Sequence, residues 1–272
     1  MNDPAPHVLF EKRDGIAFIT LNRPHKRNAF SPEMLVRLCD IWREVAEDRE
    51  VRVALVTGAG DHAFSSGGDL GSVIPLMMRT REPVGEWEER FSQDRKQLYR
   101  AILRGADFFK PVVSAINGHA LAGGAEFVLA TDIRVMSEDA TIGITEVRRG
   151  LIAGGGSLVR LARQVPWATA MELALVGEPV TAARALEIGL VNRVVPQSEV
   201  LAVAEELARK ISLGAPVALA KSKEAMVRSN GLPFDDAFAI EAQCTRENAA
   251  TDDAKEGPRA FMEKRPPVYT GK

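Results

Sequence analysis

The stretch Pro111–Ser137 reads PVVSAINGHALAGGAEFVLATDIRVMS, and its pattern indicates the fold class. Its first part, Pro111–Asn117, is a short run rich in β-branched residues, which predicts a buried strand. A glycine-rich turn then leads into an apolar helix, and Ile133–Ser137 returns as a second strand. Strands that alternate with helices in this way predict a mixed α/β domain.

The N-terminal part of the chain begins with a predicted hairpin. Two β-like runs, Val8–Arg13 and Ile16–Leu21, flank an Asp-Gly dipeptide, which is a strong signal for a two-residue turn. Ser31 is a good N-cap, and the proline after it is a good first helical residue. The valine-rich run Val51–Thr57 predicts a buried parallel strand. The first part of the chain is therefore predicted to be β-β-α-β.

The segment between these two parts is less regular. Over residues 72–91, Pro75, Pro83 and Gly85 argue against one long helix, and we interpret this segment as a mobile excursion or lid. Its apolar side chains, two methionines among them, are expected either to pack on the protein's own core or to wall a pocket. The next stretch, Gln93–Phe108, is predicted to be a helix.

The second half of the chain is mainly helical. A capped helix is predicted after Thr181, and Val191–Val195 is a last short strand. Four further helical stretches follow, at Gln197–Ile211, Pro216–Arg228, Asp235–Asn248 and Asp252–Met262. The change near residue 197 predicts a core over residues 1–196 and a helical C-terminal subdomain over residues 197–272.

Composition and charge exclude several classes of protein. The chain has 272 residues, of which 46% are hydrophobic and 26% charged, as is ordinary for a globular protein. A net charge of −2 gives no electrostatic footprint for nucleic acid, and no apolar run is long enough to span a membrane. The start, MNDPAPHVLF, lacks the features of a signal peptide, and two isolated cysteines indicate no disulfide framework. We therefore expect a reduced, cytoplasmic protein that binds neither nucleic acid nor membranes.

Several motifs with known chemistry are absent or out of context. The stretch Gly58–Ala63 fits a dinucleotide-binding pattern, but the Ser-Ser-Gly-Gly sequence that soon follows prevents a helix from starting there. The four histidines are isolated, so we expect no metal site. A nucleophile elbow of the G-x-S-x-G type is missing, which disfavours a hydrolase triad.

Backbone N–H groups in two glycine-rich turns are the first candidate functional groups. Gly123 and Gly124 precede a helix, where free N–H groups and the helix dipole favour negative charge. The second turn, residues 65–69, reads SSGGD and follows the strand Val51–Thr57. Two N–H donors from separate loops are the usual make-up of an oxyanion hole, which needs donors about 3 Å from one oxygen. Two ordinary glycine turns explain the pattern equally well, because the sequence alone does not show that the loops meet.

Two acidic residues lie among apolar neighbours. Glu126 is in the apolar helix start AEFVLA, and Glu146 is in ITEV. A buried charge is costly unless it is paired or used, and paired carboxylates in a cleft work as general base and general acid. The alternative is that each acid pairs with an arginine, for which Arg134, Arg148 and Arg149 are the candidates, or faces solvent.

At these residues the sequence resembles the crotonase family, the enoyl-CoA hydratase/isomerase superfamily. The resemblance runs from about residue 8 to the C-terminus. Its matching pieces, in chain order, are LNRPHKRNAF, FSSGGDL, AINGHALAGGAEFVLATDIRV, IGITEVRRGLIAGGGSLVRL, ALEIGLVNRVV and DDAKEGPRAFMEKRPPV. The resemblance implies an α/β fold, the crotonase (ClpP-like) spiral of ββα repeats, which carries the CoA and catalytic site. It further implies a helical C-terminal trimerisation region, and hence a homotrimer or homohexamer.

The same resemblance implies roles for individual residues. The oxyanion-hole N–H groups would belong to Gly68 and Gly123, with Glu126 acting mainly on the water and Glu146 mainly on the proton at C2. The CoA part of the substrate would lie along the backbone of segments that include Arg27, Ala29, Ala63, Ser65, Ser66, Asp69 and Leu70. Lys264 would meet the CoA phosphates, from the same or a neighbouring subunit.

The function that the resemblance implies is an enoyl-CoA hydratase, a hydro-lyase of fatty acid β-oxidation that adds water across the 2,3 double bond of an enoyl thioester. No cofactor is expected, because coenzyme A is part of the substrate. The alternatives are another crotonase reaction, such as isomerisation or a specialised dehydration, and a non-catalytic acyl-CoA-binding member. The stretch RRGLIAGGG after Glu146 departs from the pattern of many hydratases, and the C-terminal EGPRAFMEKRPPV is similar to the carnitinyl-CoA dehydratase branch. These departures leave the identity of the acyl group open.

Overall fold

The computed structural model describes residues 5–105 and 107–272. Within them lie ten strands: β1 (Val8–Arg13), β2 (Ile16–Leu21), β3 (Val53–Gly58), β4 (Ala63–Ser65), β5 (Val112–Ile116), β6 (His119–Leu121), β7 (Ile133–Ser137), β8 (Thr141–Gly143), β9 (Val180–Thr181) and β10 (Arg193–Val195). They form a six-stranded sheet of order β1-β2-β3-β5-β7-β10 and a four-stranded sheet of order β4-β6-β8-β9.

The predicted hairpin is confirmed, with β1 and β2 antiparallel and Val8 opposite Leu21. Asp14 and Gly15 between them have φ of +52° and +74°, the left-handed backbone that an Asp-Gly turn supplies at low cost. From β2 onward, the six-stranded sheet is parallel through β3, β5, β7 and β10. Parallel strands buried on both faces explain the unbroken apolar runs that marked them in the sequence.

Strands of the large sheet and strands of the small sheet alternate along the chain, and this alternation produces the spiral. The pairs β3–β4, β5–β6 and β7–β8 each place their first strand in the large sheet and their second in the small one. This repetition confirms the predicted spiral of ββα units. The short strands β4 and β6 correct the sequence analysis, which assigned their residues to glycine-rich loops. Each has only three residues, too few for an alternating pattern to show.

Twelve α-helices lie within the described residues: α1 (Pro32–Glu47), α2 (Val73–Met78), α3 (Glu86–Gln93), α4 (Gln97–Ala101), α5 (Gly123–Val128), α6 (Ser157–Gln164), α7 (Trp167–Val176), α8 (Ala182–Glu187), α9 (Val200–Ser212), α10 (Pro216–Ser229), α11 (Phe234–Ala249) and α12 (Asp253–Met262). Ser31 caps α1 as predicted, since its side chain accepts a hydrogen bond from the backbone N–H of Met34. The helices over residues 197–262 follow the four predicted stretches closely.

The predicted helix Gln93–Phe108 is wrong in extent. The chain forms only the short α4 there, because Leu103 and Gly105 take left-handed φ of +58° and +64°. The backbone N–H of Arg104 instead reaches back to the carbonyl of Tyr99 at 2.8 Å, which closes the helix. Residue 106 of that predicted helix is not among the described residues. The same holds for residues 1–4, which belong to the segment expected to lack a signal peptide.

Residues 72–91 contain two helices rather than one irregular loop. Pro75 is tolerated in α2 because it stands in the first turn, where backbone N–H groups have no partner within the helix. Gly85, with φ of +76°, precedes α3. The expectation that the prolines and this glycine prevent one long helix is met, whereas mobility of the segment stays a prediction.

The first helix of the predicted C-terminal subdomain packs on the large sheet. Val200, Ala204 and Ala208 of α9 form a buried cluster with residues of β2, β3, β5 and β7. The division at residues 196 and 197 therefore stays a prediction, and α9 is joined to the core by its own hydrophobic contacts. No helix in the described part of the chain is both long and apolar enough to cross a membrane.

Candidate active site

The two glycine-rich loops meet. Phe30 forms a β-bridge with Gly68, so the segment before α1 holds the first loop in place. A Cβ atom on Gly67 would lie 2.7 Å from the backbone nitrogen of Gly123, and one on Gly123 would lie 3.5 Å from the backbone nitrogen of Gly68. The two loops are therefore in contact, which the sequence alone did not show. Glycine at position 67 allows this contact because a larger residue would clash with the second loop.

The backbone N–H groups of Gly68 and Gly123 have no acceptor among the described residues. Gly123 begins α5, where such groups are ordinarily unpaired. Ala122 before it has φ of +50°, a left-handed conformation that favours glycine, and this strained residue sets the direction of the following N–H. Two free donors at the junction of two loops are what an oxyanion hole requires, and that role for them stays a prediction.

Close packing explains the neighbouring glycine. A Cβ atom on Gly124 would lie 2.3 Å from the carbonyl oxygen of Ser65, so α5 packs directly on β4. Phe127 anchors the same helix, with its ring 6.1 to 6.3 Å from the rings of Phe30, Phe64 and Trp42. The helix that carries Glu126 is thus fixed from both sides.

Glu126 is held by a serine that sequence reasoning missed. Its carboxylate is buried, with 5% of the residue exposed. The Ser157 hydroxyl donates to Oε1 at 2.8 Å, and the backbone N–H of Ser157 lies 3.3 Å from the same oxygen. A Cβ atom on Gly155 would lie 2.5 Å from Oε2, so the glycine run before α6 leaves room for the carboxylate. The signal in the sequence was a serine directly after three glycines, at the start of a helix.

Glu146 has a different environment. It begins the 3-10 helix Glu146–Arg149 after β8, and 8% of it is exposed. Its Oε2 atom is buried and has no hydrogen-bond partner in the part of the chain that the structure describes. Burial, with a smaller contribution from the negative charge of Glu126, raises the pKa of Glu146 to about 7. A carboxyl group with this pKa exchanges a proton readily near neutral pH.

Neither acid is paired with the arginines that the alternative reading proposed. Arg134 donates to backbone carbonyls, and Arg148 forms an ion pair with Glu178 at 2.6 Å. Arg149 donates to the carbonyl of Thr145 at 3.1 Å. Within residues 5–105 and 107–272, no ion pair includes Glu126 or Glu146, so both remain available for chemistry.

Both carboxyl groups and both loops line one cavity of about 470 Å³. Its apolar wall comes from α2, α4 and the loop after Glu146. The wall residues are Val73, Ile74, Met77, Leu98, Ile102, Leu151 and Ile152. Both placements predicted for the apolar side chains of residues 72–91 occur: Met77 lines the cavity, and Leu76 and Phe91 are buried in the core. Met78 is 55% exposed and does not line the cavity.

Most of the predicted substrate-binding residues line the same cavity. They are Arg27, Ala29, Ser66, Gly68, Asp69, Leu70 and Gly123. Ala63 and Ser65 lie behind the first loop: the Ser65 hydroxyl donates to the carbonyl of Asn28 and accepts from the N–H of Gly67. Lys264 follows α12 and is exposed, outside the lining of the cavity. For all of these residues, including those that line the cavity, contact with substrate stays a prediction.

Two residues that support the first loop were not identified from the sequence. Arg23 is buried, and its guanidinium donates to the Asp69 carboxylate at 3.0 Å and to the carbonyl of Ala29 at 2.8 Å. The fully buried Asn28 donates to the carbonyls of Ala59 and Ala63. Three of these partners, Asp69, Ala59 and Ala63, lie 31 to 46 residues away along the chain, so no local pattern marks the contacts.

Two N–H donors and two carboxyl groups without ion-pair partners line one cavity with an apolar wall, an arrangement that suits acid–base chemistry on a substrate whose carbonyl oxygen gains charge. The enoyl-CoA hydratase/isomerase family model matches residues 11–272, and the chain belongs to that family.

Relatives of similar length support the assignment. The enoyl-CoA hydratase EchA19 of Mycobacterium tuberculosis is 39% identical over 98% of this chain and 97% of its own. The (E)-benzylidenesuccinyl-CoA hydratase of Thauera aromatica is 35% identical over 97% of this chain and 99% of its own. A solved structure described as a putative enoyl-CoA hydratase/isomerase from Mycobacterium abscessus superposes with a TM-score of 0.86 at 41% identity, covering 98% of this chain and 100% of that one. The family and fold expected from the sequence are confirmed.

Proposed function

We propose that the protein is an enoyl-CoA hydratase, which adds water reversibly across the 2,3 double bond of an enoyl-CoA thioester to form a 3-hydroxyacyl-CoA. The sequence-based expectation of this hydro-lyase activity is confirmed by the family match and by near full-length relatives of that name. The observation that carries the mechanism is the junction where the unpaired N–H groups of Gly68 and Gly123 lie beside Glu126 and Glu146 in one cavity.

The N–H groups of Gly68 and Gly123 bind the thioester oxygen. As water attacks C3, the electrons of the double bond move through C2 toward this oxygen, which becomes an enolate. Donors that are fixed before the reaction stabilise the developing charge, and removal of one such donor typically costs about 10²–10³ in kcat. The contact between the two loops is what holds both donors in place.

The two carboxyl groups divide the proton transfers. Glu126, with its Oε1 fixed by Ser157, orients the water and takes a proton as the water oxygen bonds to C3. Glu146, whose pKa is about 7, gives its proton to C2 as the enolate collapses. The proton gained by Glu126 then passes to Glu146, directly or by exchange with solvent, which restores both groups. The reverse sequence dehydrates a 3-hydroxyacyl-CoA, and neither direction requires a metal or redox cofactor.

Cations beside the first loop suit the CoA end of the substrate. Lys26 and Arg27 line the cavity next to this loop, where they face the phosphates of a bound CoA. Lys264 completes this contact, from the same or a neighbouring subunit. The reaction is the hydration step of fatty acid β-oxidation, and we place the enzyme in the cytoplasm.

Exposed apolar side chains support a homotrimer or homohexamer. They concentrate on α7 and on the C-terminal helices. The larger ones are Trp167, Leu175, Met226, Phe234, Phe238, Phe261 and Met262. Apolar area of this kind is typical of surfaces buried in an assembly.

The decisive experiment follows the loss of the conjugated enoyl thioester's absorbance when the full chain is added to a short 2-enoyl-CoA. We expect hydration by the wild type and a loss of about 10²–10³ in kcat for Gly123→Pro, which removes the donor N–H. Gly123→Ala is the matched control: it keeps the N–H and adds a Cβ atom only 3.4 Å from Gly67 Cα, an ordinary contact. A folded wild type that binds acyl-CoA without turnover would instead make the protein a non-catalytic family member.

A further inference from the structure

Two adjacent arginines follow Glu146, and the structure gives them different surroundings. Arg148 is engaged away from the cavity: its guanidinium bonds to the Val176 carbonyl at 3.0 Å and to the Glu178 carboxylate at 2.6 Å. Arg149 lines the cavity, with one hydrogen bond to the carbonyl of Thr145. No carboxylate of the described residues lies within ion-pair distance of it. Its remaining N–H groups have no acceptor among the described residues.

The local helix explains why only the second arginine faces the substrate. Residues Glu146–Arg149 form a 3-10 helix, in which side chains at positions i and i+3 lie above one another. Arg149 therefore shares a face with Glu146, about 6 Å further along the helix axis at about 2 Å per residue. Arg148 points away from that face. The guanidinium of Arg149 folds back to the carbonyl of Thr145, so it lies beside Glu146, the carboxyl group proposed to act on C2, at the same cavity.

The acyl end of the cavity is otherwise unsuited to an anion. The carboxylate of Glu126 repels negative charge, and the wall beside it is apolar, with Leu151 and Ile152 soon after the 3-10 helix. The lining cations Lys26 and Arg27 belong to the segment that supports the first glycine loop, at the CoA end. An unpaired arginine here serves no ion pair of the fold, and a planar guanidinium matches a carboxylate with two parallel hydrogen bonds.

We propose that Arg149 binds a second carboxylate on the acyl group, so that the substrates are short 2-enoyl-CoA thioesters that carry a carboxylate a few carbons beyond the double bond. This inference rests on the proposed hydratase function and names its substrate class. Arg149 offsets the repulsion from the Glu126 carboxylate, and its place beside Glu146 suits a carboxylate a few carbons from C2.

The test compares two substrates that differ only at the far end. trans-2-Hexenedioyl-CoA ends in a carboxylate, whereas trans-2-hexenoyl-CoA has a methyl group there. The measured quantity is the ratio of kcat/KM for the first substrate to that for the second. Both substrates use the same two glutamates, so an indirect effect of a variant on Glu146 cancels in this ratio.

We expect the wild type to prefer the dioyl substrate. Arg149→Gln should lower the ratio about tenfold to hundredfold, because a hydrogen bond to a charged group is worth about 1.5–3 kcal/mol. Arg149→Lys keeps the charge without the paired hydrogen bonds, and should lie between. Arg148→Gln is the matched control and should leave the ratio at its wild-type value.

Each other outcome has a definite meaning. A wild-type ratio of one or less, or a ratio that Arg149→Gln leaves unchanged, overturns the inference while the hydratase function stands. A ratio that falls equally in Arg148→Gln also overturns it, since the effect would then be that of net charge. Hydration of neither substrate, nor of a short enoyl-CoA without a carboxylate, overturns the proposed hydratase function itself.

Discussion

The two carboxyl groups of the site lie in one cavity but in opposite environments. Glu126 belongs to a helix anchored by aromatic packing, and Oε1 is fixed by the Ser157 hydroxyl at 2.8 Å. Glu146 belongs to a single 3-10 turn, and its Oε2 is buried without a partner. Glu126 is thus held as a hydrogen-bond acceptor, whereas burial makes ionisation of Glu146 unfavourable. The difference teaches that the same residue type obtains two roles from what surrounds it.

Replacing either glutamate should have the largest effect. We expect Glu126→Gln and Glu146→Gln each to lower kcat for hydration by about 10²–10⁴, because general acid–base catalysis typically contributes this much. The measurement is steady-state hydration of the best enoyl-CoA substrate, with circular dichroism to show that each variant is folded. If one variant kept a kcat near that of the wild type, the glutamate replaced in it would not take part in the reaction, and the two-carboxylate mechanism would be wrong.

Removing the support of Glu126 should have a smaller effect. Ser157→Ala deletes a hydrogen bond to a buried carboxylate, and we expect kcat to fall about tenfold or more while KM changes little. Ser157→Thr keeps the hydroxyl and should restore most of the rate. A purely structural role for Ser157 would instead lower the amount of folded protein. The kcat of the folded fraction would then stay at its wild-type value in both the alanine and the threonine variant.

The pH profile separates the two acids. Because the pKa of Glu146 is raised to about 7 and its proton is needed for C2, kcat/KM for hydration should decline as pH rises above about 7. In Glu146→Gln that decline should disappear from the residual activity. If the decline persists there, another group delivers the proton.

Stability should show the cost of keeping Glu146 in place. The pKa of Glu146 is about 7 in the folded protein, whereas its ordinary value, expected in the unfolded chain, is 4.5. The free energy of unfolding therefore falls as pH rises from 4.5 to about 7. Glu146→Gln cannot ionise, and its Tm should exceed that of the wild type above pH 7 but match it below pH 4.5. Glu47→Gln, a change at an exposed position of α1, is the control and should give no such pH-dependent difference. A constant Tm difference at all pH values would contradict this account.

Much of the fold could be predicted from local sequence. The β1–β2 hairpin, the Ser31 cap of α1 and the strand β7 match their predicted bounds or residues. Periodicity, turn chemistry and capping are properties of neighbouring residues, so the sequence carries them directly. Gln93–Phe108 failed as a helix because a turn at Leu103, which no glycine or proline at that position signals, ends α4 early.

The sequence by itself determined the class of the fold, the family and the identity of the two candidate acids, since these depend on residue types in a fixed order. Only the tertiary structure decided how those residues lie relative to one another and what surrounds each of them. It brought Gly68 within reach of Gly123, placed Ser157 on Glu126 across 31 residues of chain, and left Glu146 without a partner. These contacts join segments far apart in sequence, and their energies depend on burial and direction, which a string of residues does not specify.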